Sequence, residues 1–217
     1  MSRRILVTGA ASGLGAALVE RFAARGDRIL ATDLSGADVA LTTPPPDNSA
    51  VRWRDLDVTS EDDWAKAAAW VESEWGGLDV LVNNAGVAGG GRVELCSLED
   101  WQWLFDINLF GVVRGTRAFV PMMKRQGSGR VVNTASLAGL VHPPGMGSYN
   151  AVKAAVVAFS ETMSHELAPY GVGCTAVIGD FSTNRVMCAS RSVSLPRSED
   201  IKFVRKYDGH TAVQPTP

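Results

Sequence analysis

The chain has few of the residues that build disulfide frameworks and metal sites. It carries three cysteines, Cys96, Cys174 and Cys188, and three histidines, His142, His165 and His210, among 217 residues. No two cysteines stand as C-x-x-C and the histidines show no ligand spacing. Neither a disulfide scaffold nor a structural zinc is expected, and a reducing cytoplasm fits. Charge of one sign is lacking too. The net charge is −2 and the pI about 5.9. No basic stripe calls for nucleic acid, and no Lys/Arg cluster calls for a membrane surface. Apolar runs stay far below transmembrane length, and the one after Met1-Ser2-Arg3-Arg4 is too short for a secretory h-region. Repeats and low-complexity tracts are absent. With 46% hydrophobic and 20% charged residues, the composition is that of one ordinary globular domain.

What the chain does have is alternation. Ile5-Leu6-Val7 reads as a buried strand and breaks at the glycine-rich stretch Thr8 to Gly15, after which an Ala/Leu/Val/Phe pattern reads as a helix to Ala24. A glycine turn between a strand and a helix N-terminus lets backbone N–H groups approach a pyrophosphate, and the helix dipole favours its charge. The spacing is G-x-x-x-G-x-G rather than G-x-G-x-x-G, and a purely structural turn also fits it. A second strand, Arg28 to Thr32, closes on Asp33, 18 positions past Gly15. An acid there suits the ribose hydroxyls of NAD and repels a 2′-phosphate, and it also suits a turn. Ser35 to Ala50, with three consecutive prolines, reads as a loop.

Further strands are expected at Val51–Leu56, Leu78–Val82, Gly129–Thr134 and Val172–Ile178. Between them lie a helix from Thr59 or Ser60 to Trp75, a long helix from Leu98 to Gln126 containing Asn108, and a helix from Tyr149 to Pro169-Tyr170. Asn83-Asn84-Ala85-Gly86 follows the fourth strand, at the sheet end where doubly wound folds bind ligands, although a plain Asn turn also accounts for it. Residues 184–200 show no period and are expected to be irregular. Ile201–Tyr207 reads as a last strand. Strand and helix alternation predicts an α/β fold, a three-layer Rossmann-like doubly wound parallel sheet. Residues 1–183 would form its core, and residues 184–217 a short lid and final strand of the same domain.

Tyr149 and Lys153 stand four apart, so on a helix they share a face. A phenol with a pKa of about 10 is a poor base near neutrality, and a cation one turn away lowers that value. Ser136, at the end of the fifth strand, would hold a carbonyl oxygen in front of the phenol. The bare Tyr-x-x-x-Lys spacing also fits a surface helix pair.

Taken together these motifs resemble the short-chain dehydrogenase/reductase family from about Arg3 to Thr183. Thr8 to Gly15 matches its glycine motif, Asn83 to Gly86 its N-N-A-G turn, and Asn108, Ser136, Tyr149 and Lys153 its catalytic tetrad. The resemblance implies that Tyr149 is the general acid/base and that Lys153 lowers its pKa and binds the nicotinamide ribose. It implies that Ser136 orients the substrate oxygen and that Asn108 helps hold a water chain running to Lys153. Gly9, Ser12, Gly13, Leu14 and Gly15 would cradle the pyrophosphate. Asp33 would select NAD, Asp57 and Val58 would line the adenine, and Asn84, Ala85 and Gly86 the adjoining ribose. Thr183 would contact the nicotinamide amide.

The implied reaction is hydride transfer between NAD and a small secondary alcohol or ketone, in a homodimer or homotetramer paired through the Asn108 and Tyr149 helices. No metal is implied, and no nucleic-acid or membrane partner. Two features depart from the family. Ile178-Gly179 replaces the usual Pro-Gly, and only 25 positions separate Thr183 from Asp208, where the family has a longer substrate-covering segment. A cofactor-binding protein with weak or no turnover is therefore the rival reading.

Overall fold

The computed structural model describes residues 2–38, 50–180 and 185–189. Its strands are β1 (Arg4–Thr8), β2 (Arg28–Asp33), β3 (Val51–Asp55), β4 (Val80–Asn83), β5 (Gly129–Ser136), β6 (Val172–Asp180) and β7 (Arg185–Ala189), in the order β3-β2-β1-β4-β5-β6-β7. The first six run parallel. Parallel neighbours need crossovers, and the chain supplies helices for them: α1 (Gly13–Ala24), α2 (Glu61–Trp75), α3 (Leu98–Phe105), α4 (Gly111–Gln126), α5 (Ala138–Val141) and α6 (Gly147–Leu167).

Side chains alternate across the sheet, so each strand feeds two cores. On one face Ile5, Val7, Ile29 and Ala31 pack against Val19 and Ala23 of α1. On the other Leu6, Leu30, Leu81 and Val131 meet Trp64 and Val71 of α2 and Phe119 and Met123 of α4. Val156 and Val157 of α6 cover Ala135 and Ile178. Strand order reverses between β1 and β4, and the C-terminal strand ends at that reversal form the crevice where such sheets bind ligands.

Two expectations need correction. Part of the segment expected to be irregular, residues 184–200, is strand: β7 pairs antiparallel with β6, from Ala176↔Ala189 to Asp180↔Arg185. Only four residues separate the two strands, and a parallel return needs a connection of a dozen or more, so a return this short must be antiparallel. The expected long helix 98–126 is not one α-helix either. A π-helical turn, Asp106–Phe110, joins α3 to α4 and contains Asn108. The final strand expected at Ile201–Tyr207, and Thr183, lie outside the described residues.

Candidate active site

The glycine turn is fixed by contacts that exclude side chains. Gly9 has φ +62, and a Cβ there would lie 2.8 Å from Ala85 Cα. A Cβ on Gly15 would run into the Gly9 carbonyl. Gly13, also at positive φ, faces open space. Beyond it α1 begins with no side-chain cap from Ser12. By contrast, Ser60 accepts from Asp63 N to cap α2, and Ser97 forms a capping box with Asp100 on α3. The first N–H groups of α1 therefore lack the side-chain acceptor that α2 and α3 carry, which leaves them free for an anion. A pyrophosphate fits this cradle, with Ser12, Gly13, Leu14 and Gly15 around the start of α1.

Asn84 stitches three strand ends together. Its amide donates to the carbonyls of Thr8 (3.0 Å) and Gly9 (3.2 Å), and its Oδ1 accepts from Thr134 Oγ1 (3.2 Å). Thr8 Oγ1 in turn accepts from the backbone N–H groups of Asn84 and Ala85, both at 3.0 Å. Asp33 closes β2 with its carboxylate accepting from Ala11 N (2.8 Å) and Leu34 N (2.9 Å). It opens on a cavity of about 1030 Å³ that also holds Arg52, Arg54 and Lys66. No arginine adjoins Asp33 in sequence, but the fold brings these cations around. Arg54 stacks over the Trp70 ring at 4.9 Å, and Lys66 pairs with Asp63 at 3.1 Å. Asp57 accepts from the N–H and hydroxyl of Thr59, each at 2.8 Å, and buried Val58 receives the Trp64 indole N–H on its carbonyl at 3.1 Å.

At the other end of the crevice the structure gathers Asn108, Ser136, Tyr149 and Lys153. Ser136 is the last residue of β5, buried, with its hydroxyl accepting from Ala138 N and lying within hydrogen-bonding reach of the Tyr149 phenol. Tyr149 and Lys153 lie on the first turns of α6. The Lys153 ammonium stands 5.7 Å from the Tyr149 ring centroid and donates to the Thr134 carbonyl at 2.9 Å. Gly139 permits this packing, since a Cβ there would meet the Lys153 backbone at 2.7 Å. Asn108 is 1% exposed. Its amide donates to the carbonyls of Val87 (3.1 Å) and Leu104 (3.0 Å), and its Oδ1 has no partner.

The electrostatics differ from the sequence expectation in one respect. Burial holds the Tyr149 phenol above its ordinary pKa, and the Ser136 hydroxyl opposes that rise without overcoming it. The Lys153 ammonium meanwhile donates to the Thr134 carbonyl. Lys153 itself, 4% exposed, is pulled down by burial to about 8. Sequence reasoning missed Thr8 and Thr134, whose hydroxyls or carbonyls tie the turn, Asn84 and Lys153 together. The place of Thr8 at the C-terminal end of β1 was the available signal for it, whereas Thr134, inside β5, carries none.

The short chain dehydrogenase family profile matches residues 3–190. The chain belongs to the short-chain dehydrogenase family. It is 39% identical over 184 residues to a 2-(R)-hydroxypropyl-CoM dehydrogenase of Xanthobacter autotrophicus, covering 82% of this chain and 73% of that one. To a 3-alpha-(or 20-beta)-hydroxysteroid dehydrogenase of Mycobacterium tuberculosis it is 36% identical over 175 residues, covering 79% and 66%. A short chain dehydrogenase/reductase from Burkholderia phymatum in complex with NAD superposes with TM-score 0.77 at 36% identity, covering 82% of this chain and 65% of that one. This chain thus spans about two thirds to three quarters of the length of these relatives. Among the described residues no helix is long and apolar enough to cross a membrane, and no cluster of His, Cys, Asp and Glu is arranged to hold a metal.

Proposed function

We propose that this short-chain dehydrogenase is an NAD(H)-dependent oxidoreductase acting on a secondary alcohol or its ketone, with Tyr149 as general acid/base. The observation that carries the reading is the meeting of Ser136, Tyr149, Lys153 and Asn108 at the sheet's switch point, beside an uncapped helix and a glycine cradle. When bound, the nicotinamide would supply or accept the hydride.

The protein's part is proton transfer and orientation. Ser136 Oγ would donate to the substrate oxygen and hold it before the phenol. Tyr149 would give its proton to a developing alkoxide, or take one from an alcohol. A phenolate is disfavoured by the burial of the free site, so a cation must be brought to bear on it. Lys153 has to leave or share the Thr134 carbonyl to do this, and the ribose hydroxyls of a bound cofactor are suitable partners for it. Gly9 to Gly15 would hold the pyrophosphate. Asp33, Asp57, Val58, Asn84, Ala85 and Gly86 would hold the adenosine side, and Thr183 the nicotinamide amide.

An apolar substrate fits the walls. Val93, in a 3-10 turn, and Leu140 and Val141, at the end of α5, are 66%, 44% and 61% exposed, and the loops beside them are joined by the Gly91 N to Gly145 O hydrogen bond of 2.7 Å. Pairing of copies through the α3–α4 and α6 faces accords with the exposed Trp103 and Phe110. A fluorescence titration with NADH, followed by a screen of apolar secondary alcohols for NADH production, tests the reading. NADH binding with turnover of at least one alcohol is expected. Binding without turnover would favour the rival reading of a cofactor-binding protein, and no binding would remove both.

A further inference from the structure

We infer that Gly90 and Gly91 are positioning residues that clasp the segment after β4 to the loop before α6, and so fix the substrate-facing wall in the free protein. The inference rests on the proposed reading of the site and adds two residues to it. In the sequence, Gly89-Gly90-Gly91 reads as a flexible link. The structure packs all three against neighbours. A Cβ on Gly89 would lie 2.8 Å from Leu104 Cδ1, one on Gly90 3.0 Å from the Gly145 carbonyl oxygen, and one on Gly91 2.8 Å from Cys96 Sγ. Gly91 also has φ +153, which residues with a side chain rarely adopt. With no side chains between them, the two backbones pair. Gly91 N donates to the Gly145 carbonyl at 2.7 Å, and Gly91 forms a parallel bridge with Met146.

The clasped loop lies between the two residues proposed to meet the substrate oxygen. The chain runs from Ser136 through α5 and residues 142–146 into α6, which carries Tyr149. Helix α6 holds the same loop from its other side. Asn150 Nδ2 donates to the Pro143 carbonyl at 2.8 Å, and Asn150 N to the Met146 carbonyl at 2.7 Å. The loop is thus bonded at Pro143, Gly145 and Met146 to two separate elements. The clasp also places Val93, two residues past Gly91. A Cβ on Gly147 would lie 3.0 Å from Val93 Cγ2, so Val93 sits against the start of α6, two residues before Tyr149. A wall fixed in this way costs a substrate little ordering when it binds. A side chain at 90 would push on the Gly145 carbonyl, and the bond from Gly91 N would lengthen or break.

The graded pair Gly90→Ala and Gly90→Val tests this. Three readouts are taken: exchange of the Gly91 amide hydrogen by NMR in the free protein, NADH affinity, and KM and kcat for 2-butanol and cyclohexanol at saturating NAD. In the wild type the Gly91 amide should be protected about 10²-fold or more over a free amide. Gly90→Val should lose most of that protection while the amides of α6 and the strands keep theirs. It should raise KM for both alcohols by about fivefold or more, with kcat within about threefold and NADH affinity within about twofold. Gly90→Ala should fall between. It asks the Gly145 carbonyl to give by only a few tenths of an ångström, so it carries the test if the larger variant does not fold. The inference is overturned if the wild-type Gly91 amide exchanges like a free amide. It is overturned too if the variants lose the protection with KM unchanged, or weaken NADH binding as much as they raise KM. The exchange measurement needs no substrate. A wild-type protein that turned over no alcohol would sink the oxidoreductase reading, while exchange at Gly91 still decided whether the clasp exists.

Discussion

The two ends of the crevice are built by different means. The cradle at β1, α1 and β4 is made of main chain. Its shape depends on glycines with no room for a Cβ, and its hydrogen bonds run from backbone to Thr8, Asn84 and Asp33. The end at β5 and α6 is made of side chains: Asn108 is buried, the phenol is held above its ordinary pKa, and Lys153 donates to Thr134. A cradle of backbone is ready before its ligand arrives. A cluster of buried polar side chains carries proton chemistry, and its hydrogen bonds can change partner when a ligand arrives. The difference predicts that damage at the first end appears in binding and damage at the second in chemistry.

The largest expected effect is at the second end. Tyr149→Phe removes the phenolic proton and keeps the ring against Lys153, so turnover should fall by about 10² or more with NADH affinity nearly unchanged. Steady-state kinetics beside a fluorescence titration measures both. Near-normal turnover would mean that the two ends are not divided as described. Gly15→Ala is the mirror experiment. The new methyl meets the Gly9 carbonyl, and backbone cannot give as a flexible side chain would. NADH affinity should drop by about tenfold or more, with a stability loss of about 1–3 kcal/mol as for other overpacked sites. Unchanged NADH affinity in a folded Gly15→Ala protein would remove the cradle from cofactor binding.

How legible each end was in the sequence follows from the same division. Glycine at a tight turn has no substitute, so Thr8 to Gly15 announced itself, and so did the four-residue spacing of Tyr149 and Lys153 on a helix. The six parallel strands were readable as apolar runs between glycines and caps, with bounds off by a residue or two. The π-turn at Asn108 was not legible, because its extra residue leaves the helical apolar pattern of 98–126 almost intact. Thr134 was not legible, since a threonine in a strand reads as a β-former whatever its hydroxyl meets. Nor was β7: Val186-Met187-Cys188 is a short apolar run, and only its place beside β6 makes it a strand. The burial that raises the Tyr149 phenol was not legible either, because spacing gives the proximity of Lys153 and not what covers the hydroxyl.

A smaller effect is expected at Asp33, where the backbone end borders the cation-lined cavity. Asp33→Asn keeps an acceptor for Ala11 N and removes the charge that would repel a 2′-phosphate. Any NAD preference over NADP should narrow by several-fold, with Arg52, Arg54 and Lys66 in the same cavity favouring the phosphate once the carboxylate is gone. Comparing NADH and NADPH titrations for both proteins reads this out. If the wild-type protein prefers NADPH, Asp33 is a turn residue and not a selector.

The smallest effect is one of slope. Burial draws Lys153 down to about 8 in the folded protein, against roughly 10.4 in an unfolded chain. Below pH 8 both states hold the proton, and the folded state bears the full cost of a buried ammonium. Between those two values the unfolded state binds more protons, so stability from this group rises with pH across that window. The whole swing is of the order of 3 kcal/mol. Lys153→Met carries no such dependence. It gives up the bond to Thr134 at every pH, which offsets the curves without tilting them. Thermal midpoints of the two proteins between pH 7 and pH 10 should therefore show the wild type gaining on the variant as pH rises. Parallel curves would mean that Lys153 titrates normally and that water reaches it. The side-chain end would then be open to solvent, and the contrast between the two ends would lose its physical basis.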